Sequence, residues 1–147
     1  MSNLKFWVLL FAALTLAPSL AHVLQMGQKM DLGPDSYRIA QVVYRGWAFT
    51  GVFLVVAALL SLVYWLQLQR DHRPYGAVAV AFLCYVVSLV DFFLFTYPVN
   101  RVTRNWIDLP PNWAQLRIQW EYSHAFAALL ELTAFVLLTW KITRVRK

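Results

Sequence analysis

The sequence predicts an all-α polytopic membrane protein: one domain, residues 1–147, in which four transmembrane helices form an antiparallel bundle. Three observations predict it. Hydrophobic residues make up 61% of the chain and aromatic residues 16%, where a soluble domain is roughly half apolar or less. Charged residues are only 14%. The apolar residues are gathered into runs at 4–24, 43–66, 76–97 and 125–142, each near the ~20 residues that cross a bilayer core. The runs are too long for strands and do not alternate. Backbone groups in lipid must find partners within their own segment, which leaves helices.

The first helix is expected over 4–24. Its basic start, apolar body and Ser19-Leu20-Ala21 ending resemble a secretory signal cut before His22. Against this, Val23 and Leu24 continue the run, and removing it would leave a bundle face unpartnered, so retention is the expectation. Pro18 is tolerable in a membrane helix, where neighbours can satisfy the freed carbonyl. Gly33-Pro34 punctuates the chain, and Pro34 suits a first helical position. A single long second helix over 34–69 follows from it, with polar first turns above the membrane. The stretch 67–75 is a polar turn, and a third helix is expected over 75–97. Pro110-Pro111 is expected to open the last helix, 111–143, whose first turns are amphipathic.

The formal charge of +6 does not indicate nucleic acid, because the cations sit at the edges of apolar runs. Lys5, Arg70, Arg73, Lys141, Arg144, Arg146 and Lys147 fall on one side of the membrane, opposed only by Asp71. Lys29, Arg38, Arg45, Arg101, Arg104 and Arg117 fall on the other, beside Asp31, Asp35, Asp108 and Glu121. The bias puts both termini in the cytoplasm, with the cell (inner) membrane as the expected location. Cys84 is the single cysteine and lies in an apolar run, so it reads as a small packed residue.

Helical spacing places polar residues on shared faces. Trp113, Arg117, Trp120, His124 and Glu131 stay within a stripe about 60° wide at 100° per residue. Thr15, Pro18, His22, Gln25 and Lys29 form a second stripe, and Arg38, Gln41 and Arg45 a third. Cys84, Asp91 and Pro98 are heptad-spaced, with Ser88 nearby. Asp91 lies about two turns below Tyr97, and Glu131 about two turns below His124, so the two carboxylates are expected at one depth. A charge in the bilayer costs roughly 2.5–3.5 kcal/mol, which turns such residues towards the bundle interior or a wet cavity. Polar stripes ending on one side of four helices imply a pocket under the loops, with the stretch 98–124 as a wall and lid. Arg45 and Arg117 can also be read as a structural clamp on Asp91, Glu121 or Glu131. Trp7, Trp65 and Trp140 read as interfacial belt, and Arg101 and Arg104 as headgroup anchors. Ser123, beside His124, carries no nucleophile motif and reads as incidental.

The chemistry stays open between three readings. A His base with Arg and Asn donors suits proton abstraction from an acidic carbon or phenol and stabilisation of the oxyanion. Trp, Tyr and Phe around it suit a flat aromatic or quinone-like ligand. Two histidines and two carboxylates leave a haem or first-row metal open, without any His-x-x-x-His, Glu-x-x-His or Cys-pair spacing. The third reading is a non-catalytic membrane partner or lipid-binding protein. No cofactor is expected under the first.

Ala21-His22, Tyr44-Arg45-Gly46-Trp47, Pro98-x-Asn100 and Trp113-x3-Arg117-x2-Trp120-x3-His124 together resemble the small four-helix membrane proteins grouped with anthrone oxygenases, over nearly the whole chain. The resemblance implies oxidation of anthrones to anthraquinones, and matches His22, Asn100, Arg117, Trp120 and His124. The expected catalytic set is His22, Arg45, Asn100, Arg117 and His124. The expected ligand-binding set is Tyr44, Trp47, Asp91, Tyr97, Trp106, Trp113, Trp120 and Glu131, with no metal ligands. Tyr97, Trp106 and Glu121-Tyr122 stand outside the pattern and leave the ligand open.

Overall fold

A computed structural model describes residues 2–144. Arg146 and Lys147, counted above among the cations, lie outside the described residues. Among the described residues four helical segments are long and apolar enough to cross a membrane: Asn3–Met30, Trp47–Arg70, Gly76–Val102 and Trp113–Thr143. Among the described residues there is no strand. The chain is an all-α integral membrane bundle.

Helix α1 spans Ser2–Met30 without a break at Pro18 or Ala21. A turn at 31–33 leads into α2, Pro34–Gln41, with Gly33 as its N-cap and Pro34 inside its first turn. The expected single helix over 34–69 is not formed. The chain passes through a 3-10 turn at Val42–Tyr44, and Arg45 leaves helical space at ψ 127°. Gly46 then takes φ +87°, a left-handed conformation that glycine adopts without steric cost. A second 3-10 turn, Trp47–Thr50, delivers the chain to α3, Gly51–Arg70. The β-branched Val42-Val43 pair followed by Gly46 is a poor helix interior, and the break frees α2 to pack against the start of the last helix.

After a turn at 71–75, α4 runs Gly76–Asp91 and widens into a π-helical segment at Phe92–Thr96 before α5, Tyr97–Val102. The helix thus continues past Tyr97, where the sequence suggested an end. Pro98 lacks an N–H and would clash with the carbonyl four residues back, and the wider turn just before it is the usual local remedy. The last helix, α6, spans Trp113–Thr143, with Pro110-Pro111 in the turn before it rather than inside it.

Each long helix packs on its neighbours in the chain, and α1 closes the ring against α6. Both described termini and the 71–75 turn share one end, called here the terminal end. The 31–50 and 103–112 connections share the loop end. The terminal end is packed with Ala12, Ala57, Ala58, Ala81, Cys84 and Ala134 between larger Val8, Tyr64, Leu68, Tyr85 and Leu138. Small residues bring helix backbones close where lipid offers no hydrophobic drive to association. The loop end has a separate aromatic cluster, Tyr37, Val99, Trp106 and Trp120, flanked by Tyr44, Trp113 and Leu116. Outward positions such as Leu59, Leu83, Leu129 and Val136 are exposed, as a lipid-facing surface requires.

Candidate functional site

A cavity of about 570 Å³ lies under the loop end, between α1, α3, α4 and α6. Its wall includes His22, Tyr44, Arg45, Trp47, Asp91, Asn100, Trp106, Trp120, His124 and Glu131. Ten of the thirteen residues expected at the site therefore meet there. Arg117, Tyr97 and Trp113 do not.

Two histidines form its centre. The His22 and His124 rings are 4.5 Å apart between centroids. His22 also stacks on Tyr44 at 4.2 Å and meets the faces or edges of Trp47 and Trp120. Trp120 lies 4.0 Å from His124. His124 Nδ1 is 2.8 Å from the Trp120 carbonyl oxygen. A carbonyl only accepts, so Nδ1 carries the proton and Nε2 keeps the lone pair of the neutral ring. His22 is buried, and its Nδ1 has no hydrogen-bond partner among the described residues.

Around them stand the donors. Trp120 Nε1 donates to Asn100 Oδ1 at 2.9 Å, which fixes the amide and leaves its NH₂ to donate. Gln41 is buried in the same wall, and its amide nitrogen makes no well-formed hydrogen bond. Arg45 lines the cavity mouth and is exposed. It sits in the loop at the helix break, not on a buried stripe with Arg38, which is exposed and pairs with Asp35 at 3.4 Å.

The expected catalytic role of Arg117 does not fit its place. Its guanidinium donates to the Leu32 carbonyl at 2.7 Å and to the Lys29 carbonyl at 3.4 Å, and lies over the rings of Tyr37 and Trp113. The Lys29 carbonyl is in the last turn of α1, where carbonyls lack partners within the helix, and the Leu32 carbonyl is in the turn that follows; a cation there also complements the helix dipole. Arg117 is a clamp, on backbone rather than on a carboxylate, and Trp113 is part of its seat. Tyr97 is exposed on the outside beside Phe92 and Phe93, with Arg101 over its ring. The π-helical segment turns the helix surface, which carries Tyr97 away from the face shared by Cys84 and Asp91.

The two carboxylates sit at different levels. Asp91 Oδ2 accepts from Ser123 Oγ at 2.7 Å, and Ser123 shares a 2.6 Å hydrogen bond with Thr96. Glu131 accepts from Ser19 Oγ at 2.6 Å and from Ser88 Oγ at 3.0 Å. Glu131 therefore meets α4 one turn deeper than Asp91, at Ser88. Ser123 is no incidental neighbour of His124: it holds Asp91 in the wall.

The sequence reading missed the pairing that closes the loop end. Lys29 Nζ lies 2.7 Å from Glu121 Oε2, both side chains buried, and Tyr37 donates to Glu121 Oε1 at 2.9 Å. The ammonium also lies near the Tyr44 and Trp120 rings, 5.0 and 5.3 Å from their centroids. Burial lifts the Tyr44 phenol to about 12, with the Glu121 carboxylate adding to it, so Tyr44 is a neutral hydroxyl that hydrogen-bonds Gln25. Burial, then Glu121, also raises the Tyr37 phenol above its ordinary value. A signal existed: Lys29 is on the polar stripe of the first helix, and Glu121 opens the membrane part of the last helix.

The roof is a backbone in an uncommon conformation. Arg104, Asn105 and Trp106 take φ of +47°, +55° and +64° in succession, each costing roughly 1–2 kcal/mol for an L-residue. Thr103 Oγ1 accepts from the Trp106 N–H at 3.1 Å, the Asn105 N–H donates to the Asn100 carbonyl at 2.8 Å, and Arg104 grips Asp108 through two nitrogens. These bonds hold the turn so that the Trp106 indole is buried against Tyr37 and Trp120.

Among the described residues no group of three or more His, Cys, Asp and Glu has the placement of a metal site. The His22 and His124 rings are in van der Waals contact, so a haem held between them would require them to separate. No family model, curated protein or solved structure matches this chain.

Proposed function

We propose that the protein is a membrane oxygenase acting on a hydrophobic aromatic substrate of anthrone or quinol type, without a resident cofactor. The observation that carries the proposal is His124. Its Nδ1 is engaged by a carbonyl, which leaves Nε2 as a base on a ring lining an aromatic cavity. Imidazole Nε2 takes a proton from the activated methylene carbon or phenol. The Asn100 NH₂, with Gln41 in the role expected of Arg117, donates to the oxygen on which negative charge gathers. Dioxygen is the co-reactant and oxidises the anion. For an anthrone, the methylene carbon loses two hydrogens, one oxygen atom becomes the carbonyl, and the other leaves as water. His22 is the positioning partner whose ring contact keeps the His124 ring in place. Both termini face the cytoplasm of the inner membrane in this reading, supported by the excess of Lys and Arg at the terminal end.

A second reading is favoured by a specific observation. Asp91 and Glu131 are held by hydroxyls, and Arg117 by backbone, so much of the polarity is structural and the cavity can serve binding alone. Oxygen uptake by purified protein supplied with anthrone separates the two. The oxygenase reading expects substrate-dependent uptake, cut about 10²–10⁴-fold by His124→Ala, the usual worth of a general base. Anthrone bound without any uptake would leave the binding protein.

A further inference from the structure

The cavity is open along one side. Residues 45–55 form one edge of that side and 89–107 the other. Among the described residues no hydrogen bond, ion pair or ring contact joins the two edges. Deeper in the membrane α3 and α4 do close, with Ala57, Ala58, Ala81, Cys84 and Tyr85 in one packed cluster. The seam opens above that level. There Val55 and Phe93 line the cavity and are 44% and 60% exposed, each at helical spacing from exposed residues that do not line it, Val52 and Leu59 for Val55 and Val90 for Phe93. A side chain that belongs to a cavity wall and to the lipid-facing surface marks where the cavity reaches the bilayer. Val55 is one turn inside α3, and Phe93 is in the π-helical segment, so the opening lies within apolar helix and not only at the loops.

The wall is graded across the cavity. Within the membrane the polar groups come from α1 and α6, with Ser88, Asp91 and Thr96 turned towards α6 by their hydrogen-bonding partners, and at the loop end from Gln41, Arg45, Thr50, Asn100 and Asn105. The seam side is Leu54, Val55, Leu89, Phe92 and Phe93. A ligand entering here meets apolar side chains first and hydrogen-bonding groups last. Its polar end is desolvated only when His22, His124 and Asn100 are within reach, which avoids an unpaired polar group in hydrocarbon.

We propose that this seam is a lateral doorway from the bilayer to the histidine pair. Its ligand is a lipid-phase molecule with a flat aromatic body and a hydroxyl or carbonyl at one end, and that end leads. The proposal rests on the reading of the cavity as a binding site but not on the oxidation. The π-helical segment is part of the doorway, because it directs Phe92 and Phe93 along the seam.

Thiol labelling tests it without the physiological substrate. Cys84 is the single cysteine, so a Cys84→Ala, Ala127→Cys protein in lipid nanodiscs carries one thiol, on the cavity wall. Two probes are compared: N-phenylmaleimide, flat and apolar, and a trimethylammonium methanethiosulfonate, charged. Each rate is divided by that reagent's rate with glutathione. The doorway predicts that the aromatic probe is favoured by about tenfold or more, and that Val55→Trp with Phe93→Trp slows it by about tenfold while the charged probe and the melting temperature are unaffected. Val55→Ala with Phe93→Ala widens the seam and should quicken the aromatic probe, which guards against a bulky variant that fails to fold. Equal normalised rates for the two probes, or an aromatic rate indifferent to the widened seam, would overturn the doorway. Absent oxygen uptake would remove the oxygenase and leave this result untouched.

Discussion

The two ends of the bundle solve opposite problems with the same four helices. At the terminal end, Ala57, Ala58, Ala81 and Ala134 let α1, α3, α4 and α6 approach closely around Tyr85 and Leu138. At the loop end the helices stand apart and the gap is walled by His22, Trp47, Trp106, Trp120 and His124. One end is held by close packing of small residues, which in lipid stands in for hydrophobic drive. The other is held by directed contacts: the Lys29–Glu121–Tyr37 chain, the Arg117 clamp and the bonds beneath Trp106. A cavity can exist only because the polar braces at its rim replace the packing that it interrupts.

The comparison breaks most visibly at its strongest brace. Glu121→Ala leaves the Lys29 ammonium buried without its carboxylate, and losing one partner of a buried pair costs about 3–5 kcal/mol. A large fall in melting temperature in detergent micelles is expected. A second change, Lys29→Met, should recover part of it, because the unpaired charge rather than the missing pair dominates the loss. A variant of unchanged stability would show that the pair does not brace the loop end.

At the terminal end the expected failure is of another kind. Ala134→Leu forces extra methylenes into a fully buried site, with a cost of about 1–3 kcal/mol from overpacking. Thermal unfolding should report it, while ligand-site labelling at Ala127→Cys stays as in the parent. If labelling changed as much as stability, the two ends would not be independent.

Smaller still is the roof. Thr103→Val removes the acceptor for the Trp106 N–H, at about 0.5–1.5 kcal/mol for one hydrogen bond. Faster amide exchange at 104–108, with slow exchange retained in α3, is the expected pattern. The least effect comes from Asp108, whose hydrogen bond with Arg104 holds its carboxyl below the usual range. A folded pKa below the unfolded one means the contribution is present at neutral pH and fades as pH falls through the carboxylate range. With the intrinsic pH dependence of amide exchange divided out, protection at 104–108 should therefore fall on acidification, and Asp108→Asn should abolish that loss of protection.

Much of this fold was legible because it follows from composition and length. Four apolar runs in a chain with few charges permit little besides a helix bundle in lipid. The histidine pair was legible for a related reason, since His22 and His124 lie on polar stripes that have nowhere to face but inwards. What escaped was geometry set by local backbone. Gly46 reads as one residue in an apolar run, yet its left-handed conformation splits the expected second helix. The π-helical segment before Pro98 sends Tyr97 outwards, which heptad counting from Cys84 cannot anticipate. Arg117 shared a face with Trp120 and His124, but a long side chain reaches a neighbouring helix end as easily as a cavity. The stripe gave its direction and not its partner. The Lys29–Glu121 pair was hidden because each residue was assigned separately, Lys29 to the stripe of the first helix and Glu121 to a clamp with Arg45 or Arg117.

The central claim is that the open end of the bundle holds a flat aromatic molecule against His22 and His124. Mass spectrometry of small molecules retained by the protein in native lipid nanodiscs tests it most directly, comparing the parent with Ala127→Trp, which fills the cavity wall. The account predicts an aromatic hydroxyl or carbonyl compound retained by the parent and lost from a variant of equal melting temperature. The same retained molecules in both proteins would contradict it.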